Sequence, residues 1–302
     1  MLIDTHAHLN FNAYRSDADE VIRQCLDENV WMINIGTNLE TSKKAVEIAQ
    51  KYQKGVFAAI GLHPINLDTG LVKIKTDTLE GSHFEKEFDY EKYKELAKNS
   101  KVVAVGEIGF DYYWKPKTTK KKELFKQKQK ELFLKELELA RELSLPIIFH
   151  CRMAHGDLLE ILNYKLKTIN YQLRGVMHGF VGTTEQLQEY LKMGFYIGFN
   201  GIIFKKIEPR SEKSSLLRGE GINFEELIKE TLIEKILIET DCPYLTPPIR
   251  INPHLDPHKS VVIRNEPLNV KYVAEEIAKI KNLNYKEVIE ITTQNAKELF
   301  QI

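Results

Sequence analysis

The chain has 302 residues, 43% of them hydrophobic and 28% charged. These are ordinary globular proportions and exclude a collagen-like, coiled-coil or disordered chain as an overall description. Its 43 basic and 43 acidic residues cancel, so there is no chain-wide basic field of the kind that marks many nucleic-acid binders, although a local patch stays open. No apolar run reaches the roughly 18 residues of a membrane span. The first ten residues lack a charged start and an apolar core of signal-peptide length. Three cysteines (Cys25, Cys151, Cys242) are too few and odd in number for a disulfide scaffold, so the expected setting is a reducing cytosol or nucleus.

Eight short apolar runs follow one another at residues 1–8, 31–36, 56–63, 102–109, 145–151, 175–180, 195–199 and 235–241. Most are β-branched or aromatic at the centre and end in Gly, Pro, Asn or a charged residue. Continuously apolar strands suit a parallel sheet buried on both faces. Helical patterns lie between them. Residues 18–28 place Val21, Ile22, Cys25 and Leu26 on one face, and residues 41–52 do the same with Ala45, Ile48 and Ala49. Residues 123–143 form a long amphipathic stretch. Residues 184–193 start behind Thr183 or Thr184 as a cap, with Glu185 in the first turn. Residues 268–281 and 285–299 close the chain.

Strand and helix alternating in this way predict an α/β chain folded as a single (β/α)8 TIM-type barrel over residues 1–302. The alternative is a doubly wound open sheet, which should carry a Gly-rich phosphate loop after the first strand; none is present. Residues 68–90 and 205–222 read as polar surface insertions. Residues 115–130 hold eight lysines and one glutamate in sixteen positions. That run is either a solvated face or a rim that contacts phosphates.

A barrel of this kind carries its active site at the C-terminal ends of its strands. His6 and His8 end the first run, and residues i and i+2 of a strand share a face. His63 ends the third run, Glu107 lies in the fourth, His150 ends the fifth, His178 the sixth and Asp241 the eighth. One catalytic zinc takes three protein ligands and a water. Five histidines and two acids fit better with two divalent ions about 3.5–4 Å apart, bridged by a carboxylate. The nitrogen and oxygen donors suit zinc, manganese, iron or nickel, with magnesium if waters fill the shell.

Each residue taken singly has a plainer reading. Glu107 could be a structural carboxylate, His150 or His178 a hydrogen-bonded core histidine, and Asp241 a cap before Pro243. Burying so many ionisable groups together without a metal would be costly, and this favours the joint reading. Cys151 and Cys242 read as small buried residues rather than soft ligands. His254 and His258 read as surface residues, and His83 and His155 fit no pattern.

The segments Ile3-Asp4-Thr5-His6-Ala7-His8, Gly61-Leu62-His63-Pro64, Gly106-Glu107-Ile108-Gly109-Phe110-Asp111-Tyr112, Phe149-His150-Cys151-Arg152, His178-Gly179-Phe180, Ile238-Glu239-Thr240-Asp241-Cys242-Pro243-Tyr244 and Arg264-Asn265-Glu266-Pro267 come in this order across the chain. Together they resemble the signature blocks of the TatD family of metal-dependent deoxyribonucleases, which belongs to the amidohydrolase-like metal barrels. The resemblance implies a divalent-metal hydrolase of DNA phosphodiester bonds, exonuclease in type, acting in DNA repair or degradation. It implies that His6, His8 and Asp241 hold one metal, that Glu107 bridges to a second, and that His150 and His178 complete the second site. His63 matches a histidine that helps catalysis and phosphate binding, and Arg264 an arginine near the substrate. The segment 247–262 looks longer than in the family.

The expected chemistry is that of a two-metal phosphodiesterase, using magnesium, manganese or zinc, in which Asp241 takes the proton of the attacking water and Glu107 and His63 act beside it. DNA is the expected partner; no membrane is expected, and a monomer suffices. The alternatives are hydrolysis of a small amide, lactone or phosphoester, or a nucleic-acid-binding module without catalysis.

Overall fold

The computed structural model describes residues 1–81, 84–168, 173–205, 222–248 and 264–302. All eight apolar runs form strands: β1 (Leu2–Ala7), β2 (Val30–Ile35), β3 (Val56–Ile60), β4 (Val102–Asp111), β5 (Ile147–Arg152), β6 (Gly175–Met177), β7 (Tyr196–Phe199) and β8 (Ile236–Ile238). They make one sheet in the order β1 to β8, every neighbouring pair parallel. The helices are α1 (Ala18–Asp27), α2 (Leu39–Gln50), α3 (Tyr90–Leu96), α4 (Thr119–Leu143), α5 (His155–Thr168), α6 (Thr184–Lys192), α7 (Phe224–Glu230), α8 (Val270–Lys281) and α9 (Tyr285–Phe300). The expected alternation and the TIM-type barrel are therefore present. Among the described residues no helix is long and apolar enough to cross a membrane.

The sequence reading missed α3, α5 and α7. The first and last have seven residues each, too short to display a 3.6-residue period. The reading also started α4 too late. It begins at Thr119, so Lys120, Lys121 and Lys122 occupy its first turn rather than a loop.

The seam between β8 and β1 closes just past the end of β8. An isolated parallel bridge joins Ala7 to Cys242, the Asp241 amide donates to the His6 carbonyl at 2.9 Å, and the His8 amide donates to the Cys242 carbonyl at 3.0 Å. Ile3, Ile33, Ile148, Val176 and Leu237 fill the barrel interior, together with Ala296, Leu299 and Phe300 of α9. Asn295 of α9 also donates to the Ile236 carbonyl, and Thr293 to that of Met1, so this helix seals the end of the barrel opposite the mouth. A larger apolar layer lies between the strands and the outer helices.

Two irregularities aim the side chains at the mouth. On β1 the register shifts between Asp4 and Ala7, so Ile3 faces the barrel interior while Ala7 faces the helices, and His6 and His8 point inward. On β4 it shifts between Gly106 and Ile108, turning Glu107 inward while Val105 and Ile108 pack outward. Such bulges re-aim side chains beside active sites. A Cβ at Gly106 would stand 2.5 Å from the Ile148 Cβ, so only glycine lets the strands approach here.

The described residues of 68–90 are tied to the barrel rather than forming a free surface insertion. Leu67 bridges Glu85, and Glu85 accepts from the Leu39 amide at 2.5 Å. Glu80 accepts from Thr37 and, at 2.7 Å, from Asn66, which draws the segment over the mouth. The other expected insertion, 205–222, falls outside the described residues except at its ends. The same holds for most of the long segment 247–262, with His254 and His258, and for His83.

Candidate metal centre

His6, His8, His63, Glu107, His150, His178 and Asp241 converge at the C-terminal mouth of the barrel. His8, His63, Glu107, His150, His178 and Asp241 line a cavity of about 350 Å³. Three overlapping groups could each hold a metal ion: His6, His8 and Asp241; His6, Glu107 and His178; and His63, Glu107 and His150. His6 Nε2 lies 3.3 Å from Glu107 Oε2 and 3.9 Å from Asp241 Oδ1, and His8 Nε2 lies 3.4 Å from the same Asp241 oxygen. His178 Nε2 reaches Glu107 Oε1 at 3.8 Å and Asp241 Oδ1 at 4.0 Å. Its ring stacks on His6 at 3.4 Å between centroids. His178 thus groups with His6 and Glu107, and His150 with His63 and Glu107, so that Glu107 is common to both groups.

Hydrogen bonds fix which nitrogen of each ring is available. His8 Nδ1 lies 3.0 Å from the Ile35 carbonyl, which can only accept, so Nδ1 carries the proton. His178 Nδ1 likewise meets Glu239 Oε2 at 2.8 Å. In both rings Nε2 is left facing the cluster, the arrangement found where a carboxylate or carbonyl orients a metal-bound imidazole. His63 is the reverse. The Ile65 amide donates to its Nδ1 at 3.1 Å, so the neutral ring carries its proton on Nε2 and is a donor toward the cavity. Burial, with the neighbouring His150, pushes His63 down to about 3 and keeps it neutral.

Burial opposes the charge on the other candidate ligands, and at all of them except His6 the neighbours win. Glu107 and Asp111 push His150 up to about 9, and Glu239 and Glu107 push His178 up to about 10. Despite burial, the surrounding imidazoles hold Glu107 well below the usual carboxylate range, and Asp241 is lowered by His8, His178 and His6. His6 is lowered by burial and by His178. It is fully buried, and neither of its ring nitrogens has a hydrogen bond. An unpaired imidazole between two ionised carboxylates is costly without a further partner. A divalent cation satisfies both the nitrogen and the charge, so the donor set fits one. No cysteine joins it among the described residues, in line with the reading of Cys151 and Cys242 as packing residues.

Three acids around the cluster escaped the sequence reading as site residues. Asp111 Oδ2 meets His150 Nε2 at 3.3 Å; it lies at i+4 from Glu107 on an inward face, so strand parity could have found it. Glu239 is buried against His178, and a Cβ on Gly198 would sit 2.1 Å from its Oε1, so that glycine makes room for the carboxylate. Asp4 accepts from Thr240 Oγ1 at 2.5 Å, the Thr240 amide at 2.9 Å and the His6 amide at 3.2 Å, tying the ends of β1 and β8 together. Burial pushes Asp4 up to about 7, although these donors pull the other way. Asp241 itself sits at φ 56°, a left-handed conformation that Asp tolerates better than most residues.

The structure does not bring Arg264 to this site. Its guanidinium forms a two-pronged pair with Asp17 at 2.9 and 2.6 Å, meets Glu266 at 3.0 Å and lies over the Tyr14 ring; it does not line the cavity. His155 is a hydrogen-bonded core histidine, between Tyr190 and the Val181 carbonyl. In the lysine run Lys126 pairs with Asp157 at 3.1 Å, while Lys115, Lys117, Lys120 and Lys121 are exposed.

The family model for TatD-related DNases matches residues 3–301. An uncharacterized metal-dependent hydrolase of Bacillus subtilis, YabD, is 37% identical over the full length of both chains. A 3′-5′ ssDNA/RNA exonuclease TatD of Citrobacter koseri is 30% identical, covering 100% of this chain and 99% of its own. Among solved structures, a TatD-family hydrolase of Entamoeba histolytica superposes with a TM-score of 0.73 at 25% identity, covering 99% of this chain and 97% of its own. With this family match and its mouth of imidazoles and carboxylates, the chain belongs to the TatD family and is a metal-dependent hydrolase.

Proposed function

We propose that the chain hydrolyses phosphodiester bonds of nucleic acid from an end, DNA in the first place, with two divalent ions at the mouth of the barrel. The observation that carries this reading is the buried donor set in which neither ring nitrogen of His6 has a hydrogen bond and His8 and His178, with Nδ1 held by Ile35 and Glu239, turn Nε2 toward Asp241 and Glu107. The exonuclease named among the relatives supports the choice of substrate. His6, His8 and Asp241 would hold one ion, Glu107 would bridge to the second, and His150 and His178 would complete it. Magnesium, manganese and zinc all accept such donors. When bound, divalent ions lower the pKa of water toward about 7 and neutralise charge on phosphoryl oxygens.

The protein's own groups do the rest. His63, neutral and protonated on Nε2, donates a hydrogen bond to a phosphoryl oxygen of the substrate. Asp241 is the most exposed of the two candidate ligand carboxylates, at 19% against 6% for Glu107. Kept ionised by the imidazoles around it, it accepts the proton of the water that attacks phosphorus. The phosphorus–oxygen bond to the adjoining sugar then breaks, the sugar oxygen takes up a proton from solvent to become a hydroxyl, and the nucleotide leaves. Trimming ends in this way suits degradation or repair of DNA.

The test is to incubate the metal-loaded protein with end-labelled single-stranded DNA, single-stranded RNA and duplex DNA. A ladder of products shortened from one end is expected. Intact oligonucleotides alongside hydrolysis of a small ester, lactone or amide would move the assignment to the small-substrate hydrolases.

A further inference from the structure

The connection between β4 and α4 emerges at the mouth beside the cluster. Trp114, in this connection, lines the cavity yet remains 43% exposed, one of the few large apolar side chains left in solvent among the described residues. Its ring meets Tyr113 edge-on at 5.1 Å. Arg152, exposed at the end of β5, also lines the cavity, with its guanidinium 3.8 Å over the Tyr113 ring. Among the described residues no carboxylate lies within ion-pair distance of Arg152. The connection is anchored to the cluster: Asp111 Oδ1 accepts from the Tyr113 amide at 2.8 Å, while its Oδ2 meets His150.

We infer that Trp114 and Arg152 form a nucleotide subsite at the rim, in which the Trp114 indole stacks on a base next to the scissile phosphate and Arg152 holds the neighbouring backbone phosphate. The inference rests on the nucleic-acid reading above and goes beyond it by assigning the residues that select an unpaired strand. An aromatic face in solvent beside a free cation is the combination that single-strand binders use, because every base has a π-face and every linkage a negative charge. Inside a duplex both faces of a base are already stacked. The site therefore takes a frayed or single-stranded end, and the indole has no means of telling deoxyribose from ribose.

The chain has two tryptophans, Trp31 and Trp114. Trp31 packs against Phe57 on β3, away from the mouth. In a Trp31→Phe background Trp114 is thus the sole indole reporter. The metal-loaded protein is titrated with phosphorothioate-linked oligomers, which resist hydrolysis, as single-stranded DNA, single-stranded RNA, blunt duplex DNA and a single strand lacking its terminal bases. Anisotropy of a labelled oligomer reports binding separately.

Saturable quenching by single strands, of either sugar, and weak quenching by the duplex and the base-less strand are expected. Trp114→Ala should weaken binding of normal single strands by about 5- to 150-fold, the span of one base stack, leave the base-less strand unaffected, and be rescued largely by Trp114→Phe. Arg152→Gln should weaken both kinds of strand. Binding seen by anisotropy without quenching, or equal losses on normal and base-less strands, overturns the subsite while leaving the nucleic-acid reading standing. A loaded protein that neither binds nor cleaves any oligomer overturns both.

Discussion

Glu107 and Glu136 are both buried carboxylates, one inside the barrel at its mouth and one behind β3, and they behave in opposite ways. Glu107, inward on β4, has His6, His63, His150 and His178 around it, and against the effect of burial they hold its carboxyl well below the usual range. Glu136, on α4, is fully buried behind β3. The Leu62 amide donates to its Oε1 at 2.8 Å, and its Oε2 has no partner. There burial prevails and pushes the carboxyl well above the usual range, with Glu85 adding to the effect. The difference shows what burial does alone: it neutralises a carboxylate. Charge survives at the mouth because the fold surrounds it with groups that can carry positive charge or bind a cation.

The contrast is broken most severely by removing the charge at its centre. Glu107→Gln keeps the size but takes away the negative oxygen faced by four imidazoles. It should lower bound metal and cost turnover by about 10⁴-fold or more; metal analysis of the purified variant beside a rate measurement checks this. Next comes Asp241→Asn, which keeps one oxygen for ligation and loses the proton acceptor. Turnover should fall roughly 10²–10⁴-fold with at least one metal and oligonucleotide binding retained. Near-normal rates at matched metal occupancy would make Asp241 a spectator.

Glu239 sharpens the comparison from behind the cluster, where it holds His178 Nδ1 and the Gly179 amide. Glu239→Gln should weaken metal affinity about 10–100-fold, with turnover recovering as metal is added. A rate loss that excess metal leaves untouched would assign Glu239 another role.

The smallest effect belongs to Glu136. Its folded pKa lies above the unfolded value of about 4.3, so between those values the native state holds a proton that the unfolded chain has lost. Stability from this group is therefore complete below about pH 4.3 and declines as pH rises toward the folded pKa. Glu136→Gln mimics the neutral acid and removes the slope. Denaturation at pH 5 and pH 7 should find the variant at least as stable as the parent at pH 7, with the gap narrowing at pH 5. A variant much weaker at pH 7 would mean that Glu136 is charged in place.

The barrel was legible because a parallel sheet buried on both faces needs apolar strands, and these stand out as short runs between helical periods. The candidate ligands were legible because the strand-end rule concentrates His6, His63, His150, His178 and Asp241 at one mouth. What could not be read was aim and pairing. The shifts in β1 and β4 that turn His6 and Glu107 inward leave no periodic trace. The tautomers of His8, His63 and His178 depend on partners 27, 2 and 61 residues away. The position of Arg264 in the signature blocks gave no warning of Asp17, its partner 247 residues earlier.

The central claim is that the buried imidazoles and carboxylates at the mouth serve a metal that cleaves nucleic acid. It is tested most directly by measuring hydrolysis of end-labelled single-stranded DNA while metal content is followed on the same samples. The metal should be stripped by a chelator and then returned as magnesium, manganese or zinc. Hydrolysis should vanish with the metal and return with at least one of these ions. Full hydrolysis by protein confirmed to be metal-free would contradict the account.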